Sequence, residues 1–353
     1  MKKAMHKALS SLWLLIICTA SIGMIPWQSV QADNSAVVLL YHRFGEDNYP
    51  STNIRLEQLD HQIEQLKAGG YHFMSLSNAV AALKNDAPFP AKTIIITIDD
   101  AYKSFATEGW PRFKAAGIPA TLFISTDPLD ANHSNYMSWD DVRRLQADGL
   151  DIGHHTASHL HMVASGLESS LADVRKASER FKAELGSVPK IFAYPYGEHD
   201  SATAAAIMEE GFEAAFAQYS GPIAPWQNLF ALPRFPVNER YGDEARFKLI
   251  SQTLALPIGD LIPTDPLLTD KTNPPLLGFT VEAEIGGLRA MACYPSHLGK
   301  AADLNFIAAR RVEVRFEKPF PKGRNRINCT MPAGGGRWYW LGQFYLVPGG
   351  RLD

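Results

Sequence analysis

A chain of 353 residues has room for one large domain with a small companion, or for two medium ones. With 46% hydrophobic and 20% charged residues it is composed like a folded globular protein, which excludes a disordered chain. A formal net charge of -3 supplies no basic field for polyanions, so nucleic acid is not expected as a partner.

Lys2, Lys3 and Lys7 precede an apolar stretch from Leu12 to Ile17 that thins out toward Trp27, and Val30-Gln31-Ala32 follows with small residues where a signal peptidase reads. Residues 1–32 are therefore expected to be a secretory signal peptide, cleaved after Ala32, that delivers the chain to the periplasm or the outside. An uncleaved inner-membrane anchor is the alternative. Cys18 follows Leu15-Ile16-Ile17, without the small residue that lipidation needs just before its cysteine. Beyond the leader no apolar run is long enough to span a bilayer, so no transmembrane span is expected in the mature chain. Its cysteines, Cys293 and Cys329, either form one disulfide in an oxidising compartment or stay as buried thiols.

From Ala36 to about Thr253 short apolar runs alternate with helical patterns. Val37 to Leu40 reads as a buried strand. Leu56, Leu59, Ile63 and Leu66 have helical spacing, and Gly69-Gly70 ends that helix. The β-branched run Thr93 to Ile98 is a strand, Trp110 to Ala116 a helix stopped by Gly117, and Ala120 to Ile124 the next strand. Trp139 to Ala147 is helical, with Asp140 and Asp141 in its first turn, and Ser169 to Leu185 is a longer amphipathic helix. Lys190–Ala193 and Ala214–Ala217 read as short strands. This alternation predicts an α/β fold with a mostly parallel sheet covered by helices, and periodicity alone does not decide whether it closes into a barrel. Residues 256–276, with Pro257, Pro263, Pro266, Pro274 and Pro275, read as a linker or long loop. Residues 277–353 turn β-like and read as a small β-domain, with Trp338, Tyr339 and Trp340 either in its core or exposed to glycan.

Three clusters follow strands. Asp99-Asp100 stands directly after Ile98, at the edge where α/β folds gather ligand sites, although one carboxylate could simply cap a helix and the other face water. His154, His155, His159 and His161 place four of the 11 histidines in eight positions, and the spacing of His155 and His159 puts both imidazoles on one side of a turn. A surface coincidence would be the bland reading. One carboxylate with two histidines leaves positions open on a metal for water and substrate, and the second carboxylate is free to act as a base. The third cluster, Phe192 to Gly197, contains a Pro-aromatic-Gly turn. Such a turn can present a backbone N–H to an oxyanion, or be an ordinary turn.

Thr97-Ile98-Asp99-Asp100, His155-Thr156-Ala157-Ser158-His159 and Tyr194-Pro195-Tyr196-Gly197, in this order, resemble the polysaccharide deacetylase family (carbohydrate esterase family 4) over about residues 36–250. The resemblance implies a distorted (β/α) barrel at 33–255. It also implies Asp99 as catalytic base, Asp100, His155 and His159 as metal ligands, and the Tyr196 N–H as oxyanion donor. Leu39 to Arg43 and Leu232 to Phe235 resemble a permuted subgroup that includes poly-N-acetylglucosamine deacetylases. This implies His42 as general acid, where a buried strand-end histidine is the alternative, and Arg234 as the group that orients Asp99. Ala193 stands where many family members carry arginine, and no match to the family's tryptophan-containing groove motif is evident. The implied reaction is metal-dependent hydrolysis of N-acetyl groups on a polysaccharide. Zn2+ is the first candidate, and Fe2+, Co2+ or Ni2+ suit the same ligands. Tyr102, Trp139, Tyr194 and Tyr196 are candidates to stack on sugar rings, some of them instead as core. A carbohydrate-binding module with a degenerate site, or a hydrolase of O-acetyl esters or non-sugar amides, are the competing readings.

Overall fold

The computed structural model describes residues 32–282 and 285–350. The leader expected at 1–32 lies outside the described residues apart from Ala32. Seven parallel strands carry the first part of the chain: β1 (Val37–Tyr41), β2 (Thr93–Asp99), β3 (Ala120–Ile124), β4 (Asp151–His154), β5 (Ile191–Ala193), β6 (Ala214–Phe216) and β7 (Phe235–Pro236). They lie in the order β6-β5-β4-β3-β2-β1-β7, and His72–Phe73 adds a short pairing with the start of β2. At the edge of the sheet Leu232 bridges to Phe216 while β7 pairs with β1. The segment Leu232–Pro236 thus ties the two edge strands together, and the sheet curls into the distorted barrel expected from the family resemblance.

The continuous apolar runs are explained by burial on both faces. Leu39, Ile94, Ile96 and Leu122 pack outward beneath the helices. Val38, Ile95, Phe123 and Phe216 pack with Ala79, Val80 and Leu83 of α1 (Leu76–Lys84) in a second cluster. Helix α2 (Trp139–Ala147) starts where the sequence signals it. The Ser138 hydroxyl accepts from the Asp141 N–H while the Asp141 carboxylate accepts from the Ser138 N–H. Helix α3 (Leu167–Leu185) ends at Gly186, whose φ of 78° suits a residue without a Cβ. No helix among the described residues is long and apolar enough to cross a membrane.

The C-terminal part is a sandwich of two four-stranded sheets. One has the order β8 (Leu254–Ala255), β15 (Arg337–Val347), β14 (Gly323–Gly334), β11 (Ala292–Pro295). The other has the order β9 (Ile258–Ile262), β10 (Leu277–Val281), β13 (Arg311–Arg315), β12 (Asp303–Ile307). Strand β9 falls within the stretch read as a linker, so part of that proline-rich segment is sheet. Its alternate residues stay half-exposed, and Gly259 and Asp260 break the apolar run that would have signalled it. Cys293 and Cys329 face each other across β11 and β14 and form a disulfide. Tyr339 packs against the sandwich core, whereas the Trp340 ring stands edge-on to Phe235 of the barrel at 5.2 Å.

Candidate active site

Parallel strands release their side chains at one edge of a barrel, and the expected site residues gather there. Tyr41 pairs with Ile98, so β1 and β2 deliver His42 and Asp99 from adjacent strand ends. Asp99 closes β2, and Asp100 and Ala101 then turn through positive φ (77° and 60°). Thr156, His159 and Tyr196 also have positive φ. Non-glycine residues tolerate this conformation only where their surroundings enforce it, and all five lie in the same three loops.

Asp99 and Arg234 form a two-pronged ion pair. Arg234 Nη1 donates to Asp99 Oδ1 at 2.7 Å and Nη2 donates to Oδ2 at 2.8 Å. The third donor, Nε, reaches the Ala217 carbonyl at 3.0 Å. Arg234 is fully buried and Asp99 is only 3% exposed. Burial pushes the Asp99 carboxyl up, but the Arg234 guanidinium, with His155 and His42, more than offsets it and holds the group below the usual carboxylate range. Ala193 is buried, and its carbonyl accepts from His155 Nδ1 at 2.7 Å. A carbonyl only accepts, so Nδ1 is the donor and Nε2 is the nitrogen that faces the carboxylates.

Asp100 Oδ1 lies 3.5 Å from His155 Nε2 and 3.2 Å from His159 Nε2. It is buried and makes no hydrogen bond of good geometry to either. One ligand atom from each of the three side chains can be chosen within 4.8 Å of the others. Nitrogen and oxygen donors converging without bonding to one another suit a divalent cation of the zinc type, and they leave coordination positions open. The Asp100 carboxyl is pushed up by burial but held well below its usual range by His159 and His155. His42 is drawn toward its neutral form by burial, with Asp100 and Asp99 opposing.

Two supports of this site carry no sequence signal. The Asp173 carboxylate on α3 accepts from the Ala157 and Ser158 N–H groups at 2.8 and 3.0 Å, pinning the loop between the two histidines. Glu198 is fully buried and pairs with His161 Nδ1 at 2.9 Å, while the His161 ring stacks on Tyr196 at 3.8 Å. His154, in contrast, is a core residue. It packs among Phe181, Phe192 and Phe212, and burial lowers its pKa to about 3. Of the aromatic candidates, Trp139 and Tyr194 are buried in the core, and Tyr102 and Tyr196 keep partial exposure.

A model of the family described as polysaccharide deacetylase matches residues 86–215, a span that contains Asp99, Asp100, His155, His159 and Tyr196. The chain is 24% identical over 232 residues to the poly-beta-1,6-N-acetyl-D-glucosamine N-deacetylase of Staphylococcus epidermidis, covering 58% of this chain and 80% of the relative. Its fold is similar to that of IcaB from Ammonifex degensii, with a TM-score of 0.55, 23% identity, and 63% and 99% of the two chains covered. It is similar also to the Streptococcus pyogenes deacetylase PplD in complex with acetate, with a TM-score of 0.54, 19% identity, and 58% and 92% covered. The strand-end carboxylates and the paired histidines thus lie within the segment that is similar to the polysaccharide deacetylase family, and barrel strands β1 and β7 flank it.

Proposed function

We propose that this protein hydrolyses N-acetyl groups on a cell-surface or extracellular polysaccharide of N-acetylglucosamine type, releasing acetate and leaving a free amine on the sugar. The observation that carries this reading is the convergence of Asp100, His155 and His159 beside a second carboxylate, Asp99, that is held separately by Arg234. The Staphylococcus epidermidis relative supports the substrate class by its own named activity.

Asp100, His155 and His159 would hold the cation, Zn2+ before Fe2+, Co2+ or Ni2+. When bound, it supplies Lewis acidity that polarises the acetyl carbonyl and lowers the pKa of water to about 7. Asp99 is ionised across the neutral range and fixed at both oxygens, so it stands ready to take the proton of the attacking water. The Tyr196 N–H stabilises the oxyanion that develops at the carbonyl. His42 passes a proton to the leaving nitrogen and is replenished by the one that Asp99, at the neighbouring strand end, takes from water. Tyr102 and Tyr196 stay partly exposed beside the site, their rings already stacked by Arg43 and His161, so their exposed edges are what meets the sugar. The leader at 1–32 would export the chain to where such polymers lie, with the barrel at 33–255 as the catalytic part and 277–353 subordinate to it.

The test is product analysis on acetylated substrates with metal-loaded protein. Equal amounts of acetate and new primary amine from N-acetylglucosamine oligomers are expected. Acetate without amine, from an O-acetylated polymer alone, would shift the activity to esters.

A further inference from the structure

The family match ends at residue 215, yet the C-terminal sandwich reaches back into the candidate site. Along β14 the residues alternate, with Gly323, Asn325 and Ile327 buried and Arg324 and Arg326 between them on the other face. Both arginines meet the barrel. Arg324 Nη1 donates to the Tyr196 carbonyl at 3.5 Å, its Nε lies 3.7 Å from Glu198 Oε1, and its guanidinium stands 5.4 Å from the centre of the Tyr196 ring. Arg326 Nε donates to the Gln218 carbonyl at 3.2 Å.

These partners lie on two neighbouring loops that touch, the turn after β5 and the segment after β6. Gly197 has a φ of 72° and rests directly on Gln218, where an added Cβ would come within 2.3 Å of the Gln218 nitrogen. Tyr196, just before it, has a φ of 58°, so the turn holds two successive residues in the left-handed region. Such a turn relaxes unless its neighbours fix it. Glu198, just after it, is a buried carboxylate whose Oε1 makes no hydrogen bond among the described residues, and Arg324 is a cation that faces this oxygen. A buried carboxylate that loses a cation partner is costly, and the segment carrying it moves toward water.

We infer that the C-terminal sandwich is a positioning element of the active site, in which Arg324 and Arg326 clamp the Tyr196–Gly197 turn from outside and fix the direction of the Tyr196 N–H. Arg324 is the positioning residue at the centre of this clamp. It acts through Glu198 and the Tyr196 carbonyl and does not touch the reacting atoms. The inference rests on the proposed deacetylase reading for the role of Tyr196, whereas the bracing of the turn stands on geometry alone. It gives the sandwich a task that requires no glycan contact, with Arg324 on the Tyr196–Glu198 turn and Arg326 on the Gln218 segment against which Gly197 rests.

The experiment uses the whole mature protein loaded with Zn2+, as wild type, Arg324→Ala, Arg324→Lys, Glu198→Gln, the Arg324→Ala/Glu198→Gln pair, and Arg315→Ala as a control that removes an exposed sandwich cation. Hydrogen exchange by mass spectrometry reads the turn directly. In Arg324→Ala, amides of the peptide spanning 194–199 are expected to exchange about tenfold faster, with β2 and β3 unchanged. Acetate release from N-acetylglucosamine oligomers is expected to show kcat reduced about 10–100-fold, KM changed less than about threefold, and Zn2+ content at the wild-type level. Arg324→Lys should recover part of kcat, Arg315→Ala should match wild type, and the pair should lose less than the sum of its single variants. Unchanged exchange over 194–199 in Arg324→Ala would overturn the inference, and so would faster exchange with kcat within about twofold of wild type. A wild type that releases no acetate from any acetylated polymer removes the deacetylase reading instead, and the exchange result then still decides whether the sandwich braces the turn.

Discussion

Replacing Arg234 with methionine tests how the site holds its base. The guanidinium is fully buried and gives three of its donors to Asp99 and Ala217, so Arg234→Met leaves a 3%-exposed carboxylate without a counter-ion. Breaking one side of a buried pair costs about 3–5 kcal/mol. At about 2 °C per kcal/mol for a chain of this size, that is a fall in Tm of roughly 6–10 °C. In wild type the folded Asp99 pKa lies below its unfolded value of about 3.9, so the pair contributes fully above that pH and is lost as pH falls through the folded value. In the variant the guanidinium is gone and burial raises the folded pKa. The penalty is then full at neutral pH and eases as acid protonates the carboxyl. The assay is calorimetric unfolding of chelator-treated wild type, Arg234→Met, Asp99→Asn and the double variant at pH 7.5 and 5.5, so that metal binding adds nothing to Tm. The double variant should be more stable than Arg234→Met alone, and the deficit of Arg234→Met should shrink at pH 5.5. Equal Tm values for Arg234→Met and the double variant at both pH values would refute the reasoning.

Other predictions follow from single contacts. Asp173→Ala frees the loop between His155 and His159, and Zn2+ affinity measured by competition with a chromogenic chelator should fall about 10–100-fold while the fold persists. His199 is buried between Tyr194 and Phe344, and burial lowers its pKa. The stability from its neutral form is complete above the unfolded value of about 6.5 and is lost by up to about 1.4 kcal/mol per pH unit as pH falls below it. Unfolding midpoints between pH 7.5 and 5 should therefore decline less steeply in His199→Gln, and parallel declines would contradict the burial argument. The Cys293–Cys329 disulfide closes a loop with a sequence separation of 36. Cys293→Ala/Cys329→Ala should cost about 3–4 kcal/mol in urea unfolding of the sandwich on the loop-entropy model.

Much of the barrel was legible because its strands are buried on both faces. Thr93 to Ile98 reads as one apolar run since Ile95 packs into one core cluster and Ile94, Ile96 and Ile98 into another. The carboxylate pair and the spaced histidines were legible because each cluster is local in sequence. Arg234 sits 135 residues from Asp99, so no spacing rule reaches it, and it entered the site only through the family resemblance. Asp173 and Glu198 were missed for the same reason. Asp173 is one acidic residue on an amphipathic helix, and Glu198 follows a turn with nothing local to mark its burial. Strand β9 hid among prolines, where the sheet tolerates half-exposed residues. Trp139 and Tyr194 look like sugar platforms by composition, and only packing against Phe181 and Phe192 shows that they are core.

The most direct test of the deacetylase reading is acetate release from N-acetylglucosamine oligomers by the metal-loaded protein beside Asp99→Asn and His155→Ala. Release by wild type is expected, together with its loss on chelation, its recovery on restoring Zn2+, and its loss in both variants. Release that persists in Asp99→Asn and His155→Ala, or no release from protein with the cation demonstrably bound, would contradict it.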